Sequence, residues 1–388
     1  MIDWEAIRKA EFPSTLKKVQ LRAAGGSPVS RSAFDAATAY YEEMHNHGDL
    51  FWEGYLTKVE KVRGEIAHLI CCRPDEVAFL LNTSSCMTVA ASLLRPGTVV
   101  YPAHEFPASI HAIRRCGFEV KPVQPRDNKF TIADLENELR GGTSTLVESH
   151  VQFLSGYKQD IERTGALCAN RNITHVVNAT QSLGAFHIDV ERHSIDILVS
   201  SGLKWLCAGY GVGILYVKSE LLDDRDFPKF TGWLSAKDPL KMDNRNTQII
   251  KQAKAMDSFG GSPNFPGIFA LGGSLSLIKK IGGGELQSGI TEISSRIEQL
   301  SDYAFDILAG LKLNIITPAE KKHRSGIVTV DTPNAVEVAR KLEDRDVLVS
   351  CRYNPETGRQ SLLRIAVHFY NNFDDLDRLG KTLSNILR

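Results

Sequence analysis

The segment Ser200-Ser201-Gly202-Leu203-Lys204-Trp205-Leu206-Cys207-Ala208-Gly209-Tyr210-Gly211-Val212-Gly213 constrains this chain more than any other. The run Asp196-Ile197-Leu198-Val199 ahead of it has the apolar character of a buried strand, and Ile214-Leu215-Tyr216-Val217 reads as a second one. A strand therefore delivers two serines, a glycine and one lysine into a tight turn, and a glycine-rich corner leads into the next strand. Lys204 stands beside apolar Leu203, Trp205 and Leu206. Partial burial disfavours an ammonium and lowers its pKa, which yields a nucleophilic amine near neutral pH. Small hydroxylated neighbours and free backbone N–H groups suit a phosphate. A lysine that snorkels at a strand end is the plainer alternative. The glycines from Gly209 to Gly213 lead into a strand and open no helix, so they do not read as a dinucleotide loop.

This pattern resembles the Schiff-base segment of pyridoxal-phosphate enzymes, and most closely that of the class V aminotransferase superfamily. Cysteine desulfurases, selenocysteine lyase, kynureninase and isopenicillin N epimerase belong there. The resemblance rests on Ser201-x-x-Lys204, on Trp205-Leu206, and on Gly211-x-Gly213 at the start of the following strand. It implies that Lys204 carries the cofactor, pyridoxal 5'-phosphate.

Composition narrows the class without naming a substrate. A chain of 388 residues suits two domains, or one large domain with a smaller appendage. Lys+Arg and Asp+Glu number 46 each, so no net field points to nucleic acid or an anionic membrane. No apolar run is long enough to span a bilayer, and Met1-Ile2-Asp3-Trp4-Glu5 has no signal-peptide character. The 7 cysteines form no CxxC pair and leave an odd thiol, which suits a reducing, cytoplasmic setting. Vicinal Cys71-Cys72 reads as two buried helix-end thiols in preference to a redox pair. His45 and His47 have metal-like spacing on a helix, but no third ligand is evident, and no metal site is expected.

A second anion-binding junction precedes the lysine. The strand Glu76–Leu81 runs into Asn82-Thr83-Ser84-Ser85 and an apolar helix from Met87 to Leu94. A Ser/Thr-rich turn at a helix N-terminus gathers unpaired N–H groups, although serine and threonine also serve as ordinary caps. The resemblance assigns Thr83 and Ser84, with Ser201, to the cofactor phosphate. In the loop Pro102–Ala108, Glu105-Phe106-Pro107 is similar to the kynureninase-like members, which implies that Phe106, not His104, stacks on the pyridine ring. Val151-Gln152-Phe153-x-x-Gly156 is similar to the same branch and brings Gln152 toward cofactor or substrate.

Asn178-Ala179-Thr180-Gln181-Ser182-Leu183-Gly184 resembles the family's Asp-x-x-Gln-x-x-Gly with one departure. Gln181 falls where the family's glutamine contacts the ring O3′. Asn178 replaces the aspartate that keeps the pyridine nitrogen protonated and the ring an electron sink. An amide is neutral and can donate or accept, so it holds that proton less firmly. Transamination should suffer most, while elimination and epimerisation tolerate a weaker sink. Neutral drift in a pseudoenzyme is the alternative.

Farther on, Gly260-Gly261-Ser262 resembles the family's Gly-Thr segment that reaches the neighbouring subunit's phosphate, with Ser262 for the threonine. Arg364-Ile365-Ala366 with Tyr370-Asn371 resembles the family's Arg-Ile-Ser-x-x-x-Tyr-Asn, whose arginine grips the substrate carboxylate bidentately. The histidine before the lysine in desulfurases is Leu203 here, and no cysteine occupies their mobile loop; Cys351 adjoins Arg352 on a strand. The persulfide route of cysteine desulfurase is therefore set aside.

The resemblance implies an α/β protein with the fold-type-I architecture of PLP-dependent transferases. A large domain (residues 21–265) holds a mostly parallel seven-stranded sheet. A small C-terminal α/β domain (266–388) is completed by residues 1–20. The site is expected at the carboxyl ends of the strands, shared across a homodimer interface. The expected substrate is amino-acid-like, and the expected reaction is β-elimination of the C–S lyase kind or epimerisation. An aminotransferase is the first alternative, and a pseudoenzyme or binding protein the second. Trp52, Tyr101 and Trp233 are candidates for a substrate pocket.

Overall fold

A computed structural model of the chain describes residues 2–223 and 230–387. In chain order the strands are β1 (Val19–Gln20), β2 (Val77–Leu80), β3 (Thr98–Pro102), β4 (Glu119–Val123), β5 (Thr143–Ser149), β6 (Thr174–Asn178), β7 (Ile197–Ser201), β8 (Gly213–Val217), β9 (Asn314–Ile315), β10 (Ile327–Asp331), β11 (Val347–Leu348), β12 (Ser350–Arg352) and β13 (Leu362–Ala366). The helices are α1 (Trp4–Glu11), α2 (Arg31–His47), α3 (Trp52–Ile70), α4 (Thr83–Leu93), α5 (Ala108–Arg115), α6 (Ile132–Glu138), α7 (Ile161–Asn170), α8 (Ser219–Asp223), α9 (Phe265–Ile281), α10 (Leu286–Gly310), α11 (Ala335–Glu343) and α12 (Phe373–Leu387).

The central sheet has seven strands in the order β2-β8-β7-β6-β5-β3-β4. Strands β3 to β7 pair in parallel, and β8 runs antiparallel to both β7 and β2. Every residue of β2, β6, β7 and β8 is buried, the mark of strands covered on both faces. That is why they read as unbroken apolar runs. The topology carries the carboxyl ends of β2, β5, β6 and β7, and the start of β8, to one edge of the sheet. Open α/β sheets bind their ligands at this edge.

A smaller antiparallel sheet, β12-β13-β10-β9, packs Val328, Val330, Leu363 and Ile365 into a core with Leu300, Leu376 and Leu379 of the flanking helices. The N-terminal segment is tied to this unit. Val19 and Gln20 pair with Val347 and Leu348, and Arg8 makes a buried ion pair with Asp375 at 2.7 Å. Helix α9 packs against α2, and its apolar side joins the cluster under the large sheet. Among the described residues, no helix is long and apolar enough to cross a membrane.

Two local expectations change. Helix α4 begins at Thr83, not near Met87, because the Asn82 side chain caps it by accepting from Ser85 N–H at 2.9 Å. The vicinal thiols are not both buried: Cys71 is exposed and Cys72 half-buried. Cys71 ends α3 in the left-handed conformation, which turns it out of the helix line.

Candidate active site

The lysine turn is held by its surroundings. Gly202 N–H donates to Val212 O at 3.0 Å and Ala208 N–H to Gly202 O at 2.8 Å, which closes the loop on itself. Trp205 is buried, donates its indole N–H to Gln181 Oε1 at 3.0 Å, and stacks on His368 with ring centroids 5.1 Å apart. Gly184 explains the glycine of its motif. Its φ is +99°, and a Cβ there would lie 2.6 Å from Trp205 O. With the tryptophan pinned, Lys204 points into a cavity of about 370 Å³. Burial, reinforced by the Arg364 and Arg352 guanidiniums, lowers the Lys204 pKa to about 7. Its amine lies 5.8 Å from the Phe106 ring centroid.

That lowered pKa has a consequence for stability. Between about 7 and the ordinary 10.5, the unfolded chain binds a proton that folded Lys204 does not. Stability therefore rises with pH across this window, and the penalty is complete below it. Lys204→Met should raise the melting temperature of the cofactor-free protein most at pH 6, with the gain shrinking toward pH 10. A gain independent of pH would show that burial of this amine is not its source.

The cavity collects Thr83, Ser84, Phe106, Asn178, Gln181, Ser201, Lys204 and Arg364 from positions spread over 282 residues of sequence. Thr83 and Ser84 occupy the first turn of α4, where N–H groups have no partner within the helix. Ser201 ends β7 beside them. Gly213 makes this approach feasible, since a Cβ would sit 2.7 Å from Asn82 O. Thr83 Oγ1 lies 2.9 Å from Thr180 Oγ1, which brings a hydroxyl from the neighbouring loop to the same end. The set offers N–H and O–H donors at a helix N-terminus and fits a phosphate.

At the end of β6, Asn178 is buried; its Nδ2 donates to Ser109 Oγ at 2.9 Å, and its Oδ1 accepts from Thr180 N–H at 3.0 Å. Gln181 donates to Ala24 O at 2.9 Å while accepting from Trp205. Phe106 lines the cavity edge-on to Phe153, with centroids 5.2 Å apart. His104 turns instead to Glu356 at 3.1 Å.

Arg364, in β13, is almost wholly buried, and only Nη1 is bonded, to Phe153 O at 2.7 Å. Its Nε and Nη2 are buried with no partner. Arg352, one strand over in β12, lines the same cavity. Burial and the Arg352 charge lower the Arg364 pKa to about 9. Two guanidiniums with no carboxylate bonded to either among the described residues make an anion site. A bidentate carboxylate would satisfy the orphaned nitrogens.

Two expected residues lie elsewhere. Gln152 donates to Glu105 Oε1 at 2.6 Å and does not line the cavity, because β5 has ended and the chain has turned. Ser262 is exposed and outside it as well. Trp52 and Trp233 stack on each other with centroids 5.8 Å apart, and neither they nor Tyr101 line the cavity. Sequence reading missed Arg352 and Thr180 as parts of the site. The adjacency of Arg352 to Arg364 depends on strand pairing, although its lone charge beside Cys351 was visible. A wider cleft of about 910 Å³ adjoins the cavity at Gly25, Tyr210 and Arg352.

A lysine amine near neutrality, a phosphate cradle, a facing aromatic ring and a carboxylate clamp together fit pyridoxal 5'-phosphate with an amino-acid-like substrate. Comparison with known proteins agrees. The chain is similar to an uncharacterized aminotransferase of Bacillus subtilis (strain 168), at 27% identity over 94% of this chain and 93% of that protein. It is also similar to the isopenicillin N epimerase of Streptomyces clavuligerus, at 25% identity over 98% of each. The apo structure of a cysteine desulfurase from Thermococcus onnurineus NA1 superposes with a TM-score of 0.88 at 21% identity, covering 100% of this chain and 98% of that one. The family model described as "Aminotransferase class-V" matches residues 19–379. The chain thus belongs to the class V aminotransferase family, and its cofactor is pyridoxal 5'-phosphate.

Proposed function

We propose that this protein acts at Cα and Cβ of an amino-acid-like substrate, by β-elimination of the C–S lyase kind or by epimerisation. When bound, pyridoxal phosphate supplies an electrophilic carbon for amines and an electron-withdrawing ring that acidifies the Cα proton. Lys204 anchors it and, with an amine neutral near pH 7, takes the Cα proton. Thr83, Ser84 and Ser201 hold the phosphate. Phe106 covers one face of the ring, and Gln181 retains one N–H for the ring oxygen. Arg364 and Arg352 orient the substrate carboxylate. Ser262 serves the partner subunit's phosphate in a homodimer.

The observation that carries the choice of reaction is Asn178. A neutral amide stands at the end of β6 where an aspartate would fix a proton on the ring nitrogen. Epimerisation has further support in the similarity to an epimerase over nearly the whole chain. Cys351 is half-buried with its thiol pKa raised by burial, which leaves it poorly suited to attack sulfur and supports setting the persulfide route aside. Transamination is the second reading, favoured by the similarity to a protein named an aminotransferase.

Asn178→Asp separates them. With a panel of amino acids, transamination should rise relative to elimination or epimerisation in the variant. An unchanged product ratio would sink the argument from the ring nitrogen.

A further inference from the structure

Behind Asn178 lies a buried carboxyl for which the function proposed above has no use. Glu105 Oε1 accepts from Ser149 N–H and from Gln152 Nε2, each at 2.6 Å. Its Oε2 accepts from Ser149 Oγ at 2.5 Å and from Ser109 Oγ at 3.2 Å. All these donors are neutral; Lys204, Arg352 and Arg364 bond neither oxygen among the described residues. Burial raises the carboxyl's pKa, the four hydrogen bonds oppose that rise, and in its ionised form the carboxylate uses every one of them.

The chain of donors runs in one direction. Thr180 N–H can only donate, so it fixes Asn178 Oδ1 as acceptor and turns Nδ2 toward Ser109. Ser109 Oγ accepts that N–H, and its own proton passes to Glu105. Ser109 is fully buried in the first turn of α5, so water does not compete for its hydroxyl. We propose that Glu105 is a positioning residue that acts through Ser109, locking the Asn178 amide with its oxygen toward Thr180 and stationing the site's negative charge one hydroxyl behind position 178. This rests on the pyridoxal-phosphate reading for its functional meaning, but the relay itself belongs to the folded chain.

The relay makes position 178 and position 105 interdependent. An aspartate at 178 would need the single Ser109 proton that Glu105 already holds, leaving two buried carboxylates to contend for it. A glutamine at 105 releases that proton: its oxygen keeps the bonds from Ser149 N–H and Gln152 Nε2, and its amide nitrogen, in the place of Oε2, donates to Ser109 Oγ, whose own proton is then free for position 178. Asn178→Asp should therefore lower the melting temperature of the cofactor-free protein, and Glu105→Gln/Asn178→Asp should melt above that single variant. Purely additive losses would overturn the relay. Ser109→Ala covers the case in which the Glu105 variants fail to fold. It removes the contested proton's carrier, so adding Asn178→Asp to it should lower the melting temperature further than Asn178→Asp alone does. An equal loss in both backgrounds would count against the proposal.

A spectroscopic readout tests the charge. The pH midpoint of the absorption change of bound pyridoxal phosphate should fall by about half a pH unit or more in Glu105→Gln, because a nearby negative charge favours protonated forms. In the double variant, with the carboxylate moved forward, it should rise above that of the native protein. No movement in either variant overturns the placement of charge. Absence of any cofactor band would defeat the pyridoxal-phosphate reading instead, and the cofactor-free melting cycle would still decide the relay.

Discussion

Lys204→Ala should lower turnover by about 10²–10⁴-fold, since the positioned base is lost. Borohydride reduction should no longer fix the cofactor to the chain. The expectation rests on enclosure. Lys204 is half-buried in the cavity beside two guanidiniums, and desolvation and both charges push its pKa the same way, to about 7. No other lysine among the described residues lines the cavity, so none can take over the role. The measurement is the absorption spectrum of the native protein and the variant, before and after borohydride, with peptide mapping of the reduced adduct. Reduced cofactor attached elsewhere, or equal turnover, would remove Lys204 from the mechanism. No band in the native protein, even with added pyridoxal phosphate, would leave a scaffold that binds without turnover.

The second large effect belongs to Arg364. Arg364→Met should reduce kcat/KM for a substrate with a free carboxylate by roughly 30- to 3,000-fold, the equivalent of losing one partner of a buried charged hydrogen-bond pair. Arg364→Lys should recover little, because an ammonium cannot supply the two parallel N–H donors of a guanidinium. Stability should move differently. Two of the three Arg364 nitrogens are buried without partners, and unsatisfied buried donors are destabilising. The methionine variant should therefore melt no lower than the native protein when substrate is absent. A melting temperature several degrees lower would assign Arg364 to the fold. Substrate amides, which lack the carboxylate charge, should discriminate far less between the native protein and the variant.

Much of this site was legible along the chain because its parts are local. The Lys204 turn, the Asn82–Ser85 junction and the Asn178–Gly184 segment each combine a buried apolar strand with small polar residues just past its end. That local pattern survives in sequence because strand burial and turn geometry are set by neighbours within a few residues. Gln152 misled for the same reason. Its motif was recognisable, but the direction of one side chain after a turn is decided by what packs there, and Glu105 is a stronger partner than an open cavity. Tyr101, Trp52 and Trp233 could not be placed from sequence, since aromatic side chains serve cores and pockets alike.

The sequence alone determined the class of chemistry. One lysine in an apolar turn, hydroxylated strand ends and a neutral asparagine are covalent facts that no packing alters. Tertiary structure decided what depends on distance between remote segments. It set Arg352 beside Arg364 by pairing β12 with β13, and so made a double cationic clamp from residues 12 apart in sequence. It also placed Glu105 and Ser109 behind Asn178, though they come from a loop and a helix that follow a different strand. Charge acts through space and hydrogen bonds demand direction. Neither can be read from the order of residues until the sheet has brought their ends together.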